Sequence, residues 1–155
     1  MINEIFTKAA EELNSLNFYT VSLNEFMYNH ESTTKEAFPA IVFFNDVQSV
    51  ETQNNSGRFQ DTQFTTRWLF GDKIKELDDF GSNVLEVQDR MRMLARQYFY
   101  NVTTSKEFQL ASNEQQQYSF DTTSFAHEFD SDLAGVFVTF TFFLRLPIDY
   151  CKFEC

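Results

Sequence analysis

The sequence predicts an α+β domain: a mostly antiparallel sheet, an N-terminal helix and a long central helix packed on one of its faces, and two β-hairpins. Three patterns carry this expectation. In the run VFVTFTFFLRL at 136–146, Val136, Val138, Phe140, Phe142, Leu144 and Leu146 all take even positions, whereas Thr139, Thr141 and Arg145 take odd ones. Earlier, two alternating runs flank Asn54-Asn55-Ser56-Gly57, residues that accept positive φ in a tight turn. Between these regions the apolar residues change to spacings of three and four, the period of a helix.

The chain opens with Ile2, Ile5, Phe6, Ala9, Ala10, Leu13 and Leu16, one stripe of a helix expected from about Ile2 to Leu16. Asn17 ends it, and Phe18 to Val21 reads as strand, with a further short piece at Phe26–Asn29 and a polar loop from Asn29 to Glu36. The continuous apolar run from Phe38 to Phe44 predicts a strand covered on both faces, with Pro39 tolerated only at its start.

Val47–Gln53 and Phe59–Phe70 then alternate as the two arms of a hairpin. On the second arm Thr62, Phe64, Thr66, Trp68 and Phe70 share one side, and Asp61, Gln63, Thr65 and Arg67 the other. The outer half carries few large apolar groups, so residues 50–62 are expected to project from the body as an arm.

After Gly71, the spacing of Ile74, Leu77 and Phe80 predicts a short helical or irregular approach. A main helix follows from about Ser82, the expected N-cap, to Tyr100, and buries Val84, Leu85, Val87, Met91, Leu94, Ala95, Tyr98 and Phe99. Its other face holds Glu86, Asp89, Arg90 and Arg96, where a Glu86–Arg90 pair contributes only a few tenths of a kcal/mol. Tyr118–Phe129 alternates again, and residues 130–135 link it to the closing strand as a second hairpin. Burying the six even-numbered residues of that strand contributes on the order of 10 kcal/mol before ordering costs. Residues 147–155 form a C-terminal tail.

With 155 residues, one domain spanning 1–155 suffices for a core, since a chain of this size buries roughly 70% of its unfolded surface. Twelve Lys and Arg against 23 Asp and Glu leave a formal charge of -11, which repels a phosphate backbone and argues against sequence-specific DNA binding. Stacking of single-stranded bases on exposed aromatics also asks for a basic groove that this composition does not offer. The N-terminal MINEIFTKAAEEL is not a secretory signal, and no run reaches the roughly 18 apolar residues of a membrane helix, so a reducing cytoplasm and no membrane contact are expected.

The candidate chemistry is sparse. Asp72, Asp78 and Asp79 lack the alternation of a calcium loop and precede a helix, where acids favour the dipole. His30 and His127 suggest no Ser-His-Asp or Cys-His set. Cys151 and Cys155 stand four apart without the further ligands a metal needs, and read as free thiols. The glycines at 57, 71, 81 and 135 are isolated, so no phosphate loop or dinucleotide fingerprint is present. The expectation is a protein that is not an enzyme and holds neither cofactor nor metal.

Trp68-Leu69-Phe70, Asp72-Lys73, Leu77-Asp78-Asp79, Val84-Leu85-Glu86-Val87 and the Met91 to Ala95 end of the helix resemble the middle of small tail-completion or tail-terminator proteins of tailed bacteriophages. Asp132-Leu133-Ala134-Gly135, the aromatic strand after it, Pro147 and Cys151 are similar to their C-terminal hairpin, so the resemblance covers residues 38–151. It implies a virion structural protein of the neck or tail. Such a protein forms a homo-oligomeric ring, a hexamer or dodecamer, at the head-tail junction or tail terminus; it is assembled in the host cytoplasm and meets other phage neck or tail proteins. No functional residue is carried over from the family.

A projecting strand pair suits a ring, because it can augment a neighbour's sheet through main-chain hydrogen bonds. That places Glu51, Gln53, Asn55, Arg58, Phe59, Asp61 and Gln63 at the expected subunit interface. An acidic ring lets DNA pass as non-specific cargo, since negative walls repel phosphate over a Debye length of about 8 Å. A baseplate or tail-tube-associated subunit is the alternative within this class. A small acidic ligand-binding domain or enzyme is the alternative outside it.

Overall fold

A computed structural model describes residues 2–13, 17–21, 39–53, 59–74, 76–77, 81–111, 118–126 and 133–144. Among the described residues there are three helices, α1 (Ile2–Glu11), α2 (Val84–Thr104) and α3 (Lys106–Ala111). The strands are β1 (Asn17–Val21), β2 (Ala40–Gln53), β3 (Phe59–Lys73), the two-residue pair β4 (Glu76–Leu77) and β5 (Gly81–Ser82), β6 (Ser119–Ala126) and β7 (Leu133–Leu144). The class is α+β, as expected. The main sheet has five strands in the order β1-β2-β3-β7-β6.

Three of its four pairings are antiparallel, but β1 runs parallel to β2, with Asn17 opposite Ala40 and Val21 opposite Phe44, so the sheet is mixed. The start of β2 is tied down before the ladder begins. The carbonyl of Pro39 accepts from both the backbone N–H and the side-chain amide of Asn17.

The alternation along β7 sets the layers. Val136, Val138, Phe140, Phe142 and Leu144 are buried on one side, opposite Phe70, Trp68, Thr66, Phe64 and Thr62 of β3 in that order. The same side receives Ile5, Phe6 and Ala9 from α1, Val87, Met91, Ala95, Tyr98, Phe99 and Val102 from α2, and Phe108 from α3. Trp68 is at the centre and completely buried. Phe6 meets it edge-on with ring centroids 4.8 Å apart, Phe43 stacks on it at 4.5 Å, and Phe99 meets it edge-on at 5.4 Å.

A smaller apolar cluster, Val42, Phe44, Leu69, Phe125 and Leu133 with Phe137 packed on it, occupies the other side of the sheet. Residues 40–44 of β2 are thus buried on both faces, which is why their sequence runs apolar without a break.

Several boundaries depart from the sequence reading. The helix pattern predicted to reach Leu16 ends at Glu11, and residues 14–16 lie outside the described ones. The helical or irregular approach expected after Gly71 is irregular at Ile74 and holds the short pair β4 and β5, with residues 75 and 78–80 outside the described ones. β3 runs past Phe70 to Lys73 because Gly71, Asp72 and Lys73 pair with Gly135, Ala134 and Leu133, which makes Gly135 part of β7 and not of its connection. Asn83, not Ser82, precedes the first turn of α2, and its side chain makes no capping bond. The helix extends four residues past Tyr100, to Thr104. The expected pieces at Phe26–Asn29 and Asn29–Glu36, the turn at residues 54–57 and the tail at 147–155 lie outside the described residues.

Candidate assembly surface

The strand pair expected to form the interface begins where β2 leaves its other neighbour. β1 accompanies β2 only from Ala40 to Phe44, whereas β2 runs on to Gln53. Among the described residues, no strand pairs the outer edge of β2 beyond Phe44. Its inner edge stays paired: Gln48 faces Thr65, Val50 faces Gln63, Glu51 faces Thr62 and Gln53 faces Phe59. The register shifts between Phe44 and Gln48, where β2 carries extra residues, and again between Thr52 and Gln53.

Every residue from Asn45 to Glu51 is exposed, Val50 at 58% of its surface. Asp46 pairs with Arg67 at 3.7 Å across the strands, with both side chains nearly half exposed. Glu51 accepts a hydrogen bond at 2.8 Å from the hydroxyl of Thr62, itself buried. Glu51 therefore has a defined rotamer, and Gln63 is half-buried opposite Val50. Gln53, Phe59 and Asp61 stand in the ladder by backbone register, and Asn55 and Arg58 lie outside the described residues. Thr62, the inner limit of the expected arm, belongs to the buried sheet.

On the helical layer, the Glu86–Arg90 pair expected from spacing is replaced by a longer reach. Arg90 donates to the carboxylate of Asp72, which also accepts from the N–H of Lys73, so this acid serves to hold β3 to α2. Leu85, expected in the core, is 76% exposed. The buried line runs through Val87, Met91, Ala95, Tyr98 and Val102, and Leu85 falls well off it; a helical wheel drawn on those five positions alone would have excluded it.

Lys8 of α1 donates to Glu107 of α3 at 3.0 Å, and the pair borders a depression of about 250 Å³ also lined by Glu4 and Ile5. That hydrogen bond raises the Lys8 amine above its ordinary range and lowers the Glu107 carboxyl below its own. The two side chains thus pair across the mouth of the depression, joining α1 to α3.

Among the described residues, no three His, Cys, Asp or Glu side chains are grouped to hold a metal ion, and no helix is long and apolar enough to cross a membrane. His30, His127, Asp78, Asp79, Cys151 and Cys155 lie outside the described residues. No protein-family model matches this chain, and no curated protein matches it.

Proposed function

We propose that this protein is a structural subunit that assembles with copies of itself into a ring at the head-tail junction or tail terminus of a tailed phage, DNA passing through as cargo. The observation that carries this reading is the half-unpaired strand β2: nine residues, Asn45 to Gln53, run on beyond the end of β1 with one edge open among the described residues. A long open edge is a template for another strand, and its use in assembly turns exposed main-chain groups into hydrogen bonds between subunits.

The finer architecture fits the same role. β2 and β3 act as a hairpin arm, β6 and β7 as a second hairpin, and α2 as the central helix that stiffens the sheet behind the arm. Glu51, Gln53, Asn55, Arg58, Phe59, Asp61 and Gln63 take part in the contact between subunits. The net charge of -11 supplies a non-adhesive surface toward nucleic acid.

Removing residues 51–61 tests the reading. The shortened chain is expected to keep its far-ultraviolet circular dichroism and cooperative melting while losing the larger multiples of the protomer mass that light scattering of the full chain is expected to show. An unchanged assembly removes the arm from the interface.

A further inference from the structure

We infer that the solvent face of α2 is a second contact surface, which pairs antiparallel, about a two-fold axis, with the same face of another copy of this chain. The contact is independent of the β2 arm.

α2 buries Val87, Met91, Ala95, Tyr98 and Val102 and turns its opposite face to solvent. On that face Leu85, Met93 and Tyr100 are 76%, 63% and 62% exposed. Together with Asp89, Arg92 and Arg96 they fall within an arc of about 100° along about 22 Å of helix, so they form one stripe and not scattered groups. Tyr, Met and Arg are the residue types enriched where proteins meet. Leu85, Asp89, Arg92 and Arg96 also follow one another at steps of four, three and four residues, the spacing of a seam between two helices.

The stripe is complementary to itself. Leu85 and Tyr100 stand equally far from the midpoint between Arg92 and Met93, and so do Asp89 and Arg96. A second α2 turned end for end about that midpoint sets Leu85 against Tyr100, Asp89 against Arg96, and the aliphatic stem of Arg92 against Met93, each of them twice. A parallel pair would set Asp89 on Asp89 and Arg96 on Arg96, so charge selects the antiparallel arrangement. A partner of another kind would need no such symmetry in the stripe.

The charged groups are available for this contact. Arg92 donates to Oδ1 of Asp89 at 2.7 Å and to the hydroxyl of Ser124 at 2.6 Å. Among the described residues, Oδ2 of Asp89 has no partner and no carboxylate pairs with the exposed Arg96. Arg96 of the second copy supplies what Asp89 lacks. Six side chains from each copy make a contact smaller than the about 20–30 residues a side of a standard interface, so the pairing is reversible and grows with concentration. A two-fold contact doubles whatever it joins, two protomers or two rings.

Charge reversal tests the inference by sedimentation velocity of the full chain over a wide concentration range. Asp89→Arg alone meets a like charge at Arg96 of the second copy, and Arg96→Asp alone meets one at Asp89. Each is expected to halve the mass of the largest species. An equal mixture of the two variants, in which every facing pair again has opposite signs, is expected to restore it. Circular dichroism reports whether each variant folds; if one does not, Tyr100→Ala decides, with an expected rise of about tenfold in the concentration at half-pairing. Folded reversed chains that keep the parent's mass, a mixture that stays at half mass, or a Tyr100→Ala chain that pairs like the parent overturns this inference and leaves the arm reading standing. A parent that forms pairs and nothing larger overturns the ring and leaves this contact. A parent that never associates overturns both.

Discussion

The indole N–H of Trp68 donates to the hydroxyl oxygen of Thr66 at 2.8 Å, and that hydroxyl in turn donates to the carbonyl of Phe140 at 2.9 Å. Both side chains are completely buried, so one threonine lets the largest ring of the core sit among phenylalanines without a stranded polar hydrogen. It also joins β3 to β7 through a side chain, in addition to their ladder.

Thr66→Val keeps the shape of the site and removes the relay. The buried N–H of Trp68 then has no acceptor, and a loss of about 1–3 kcal/mol is expected from urea unfolding followed by tryptophan fluorescence. Thr66→Ser retains the hydroxyl and is expected to recover most of it. Equal stability of the valine variant and the parent would show that the relay contributes nothing.

Gly135 and Gly71 face each other across β3 and β7, yet their tolerance should differ. A Cβ on Gly135 would stand 1.9 Å from the Phe70 carbonyl oxygen, a backbone atom that cannot swing aside. On Gly71 the nearest neighbours are the ends of Leu69 and Leu133, at 3.0 and 3.4 Å. Gly135→Ala is expected to lose on the order of 3 kcal/mol or more, and Gly71→Ala on the order of 1 kcal/mol. Thermal melts of the two variants side by side check the order.

These cases show what the sequence conveys. The even-numbered run from Val136 to Leu144 and the side shared by Phe64, Trp68 and Phe70 were legible because a half-buried strand imposes a period of two on its residues. The helical spacing of Ile74, Leu77 and Phe80 does not show where β3 ends, because the ladder from Gly71 to Lys73 against Leu133–Gly135 carries the strand three residues past Phe70. The parallel pairing of β1 leaves no local mark, since strand direction is fixed by the whole topology. At the candidate site, Val50 and Glu51 read as polar-faced strand from alternation. The edge beside them, unpaired beyond Phe44 among the described residues, is set by the parallel pairing of β1 with β2, which joins distant segments.

Tyr98 ties the two longer helices to each other: its hydroxyl donates to the carbonyl of Phe6 at 2.8 Å. Burial disfavours the phenolate and pushes the group well above its usual value. Above about pH 10 the unfolded chain releases this proton while the fold retains it, so stability falls as pH rises. Tyr98→Phe is expected to be less stable by about 1 kcal/mol at pH 7 and to close that gap in alkali, as measured by urea unfolding across the pH range. A constant gap contradicts the assignment.

Phe6 is the anchor of α1, with its ring edge-on to Phe43, Trp68 and Phe142. Phe6→Ala is expected to lose about 3–5 kcal/mol in chemical unfolding and to speed hydrogen exchange in α1 before the sheet. Uniform exchange across both would mean that the helix is not a separately docked unit.

The claim that this chain is a building block is tested most directly by sedimentation velocity of the full-length protein over a wide concentration range. Defined multiples of the protomer mass, growing with concentration and visible as rings by negative-stain imaging, are the expected result. One species of protomer mass at every concentration would contradict it.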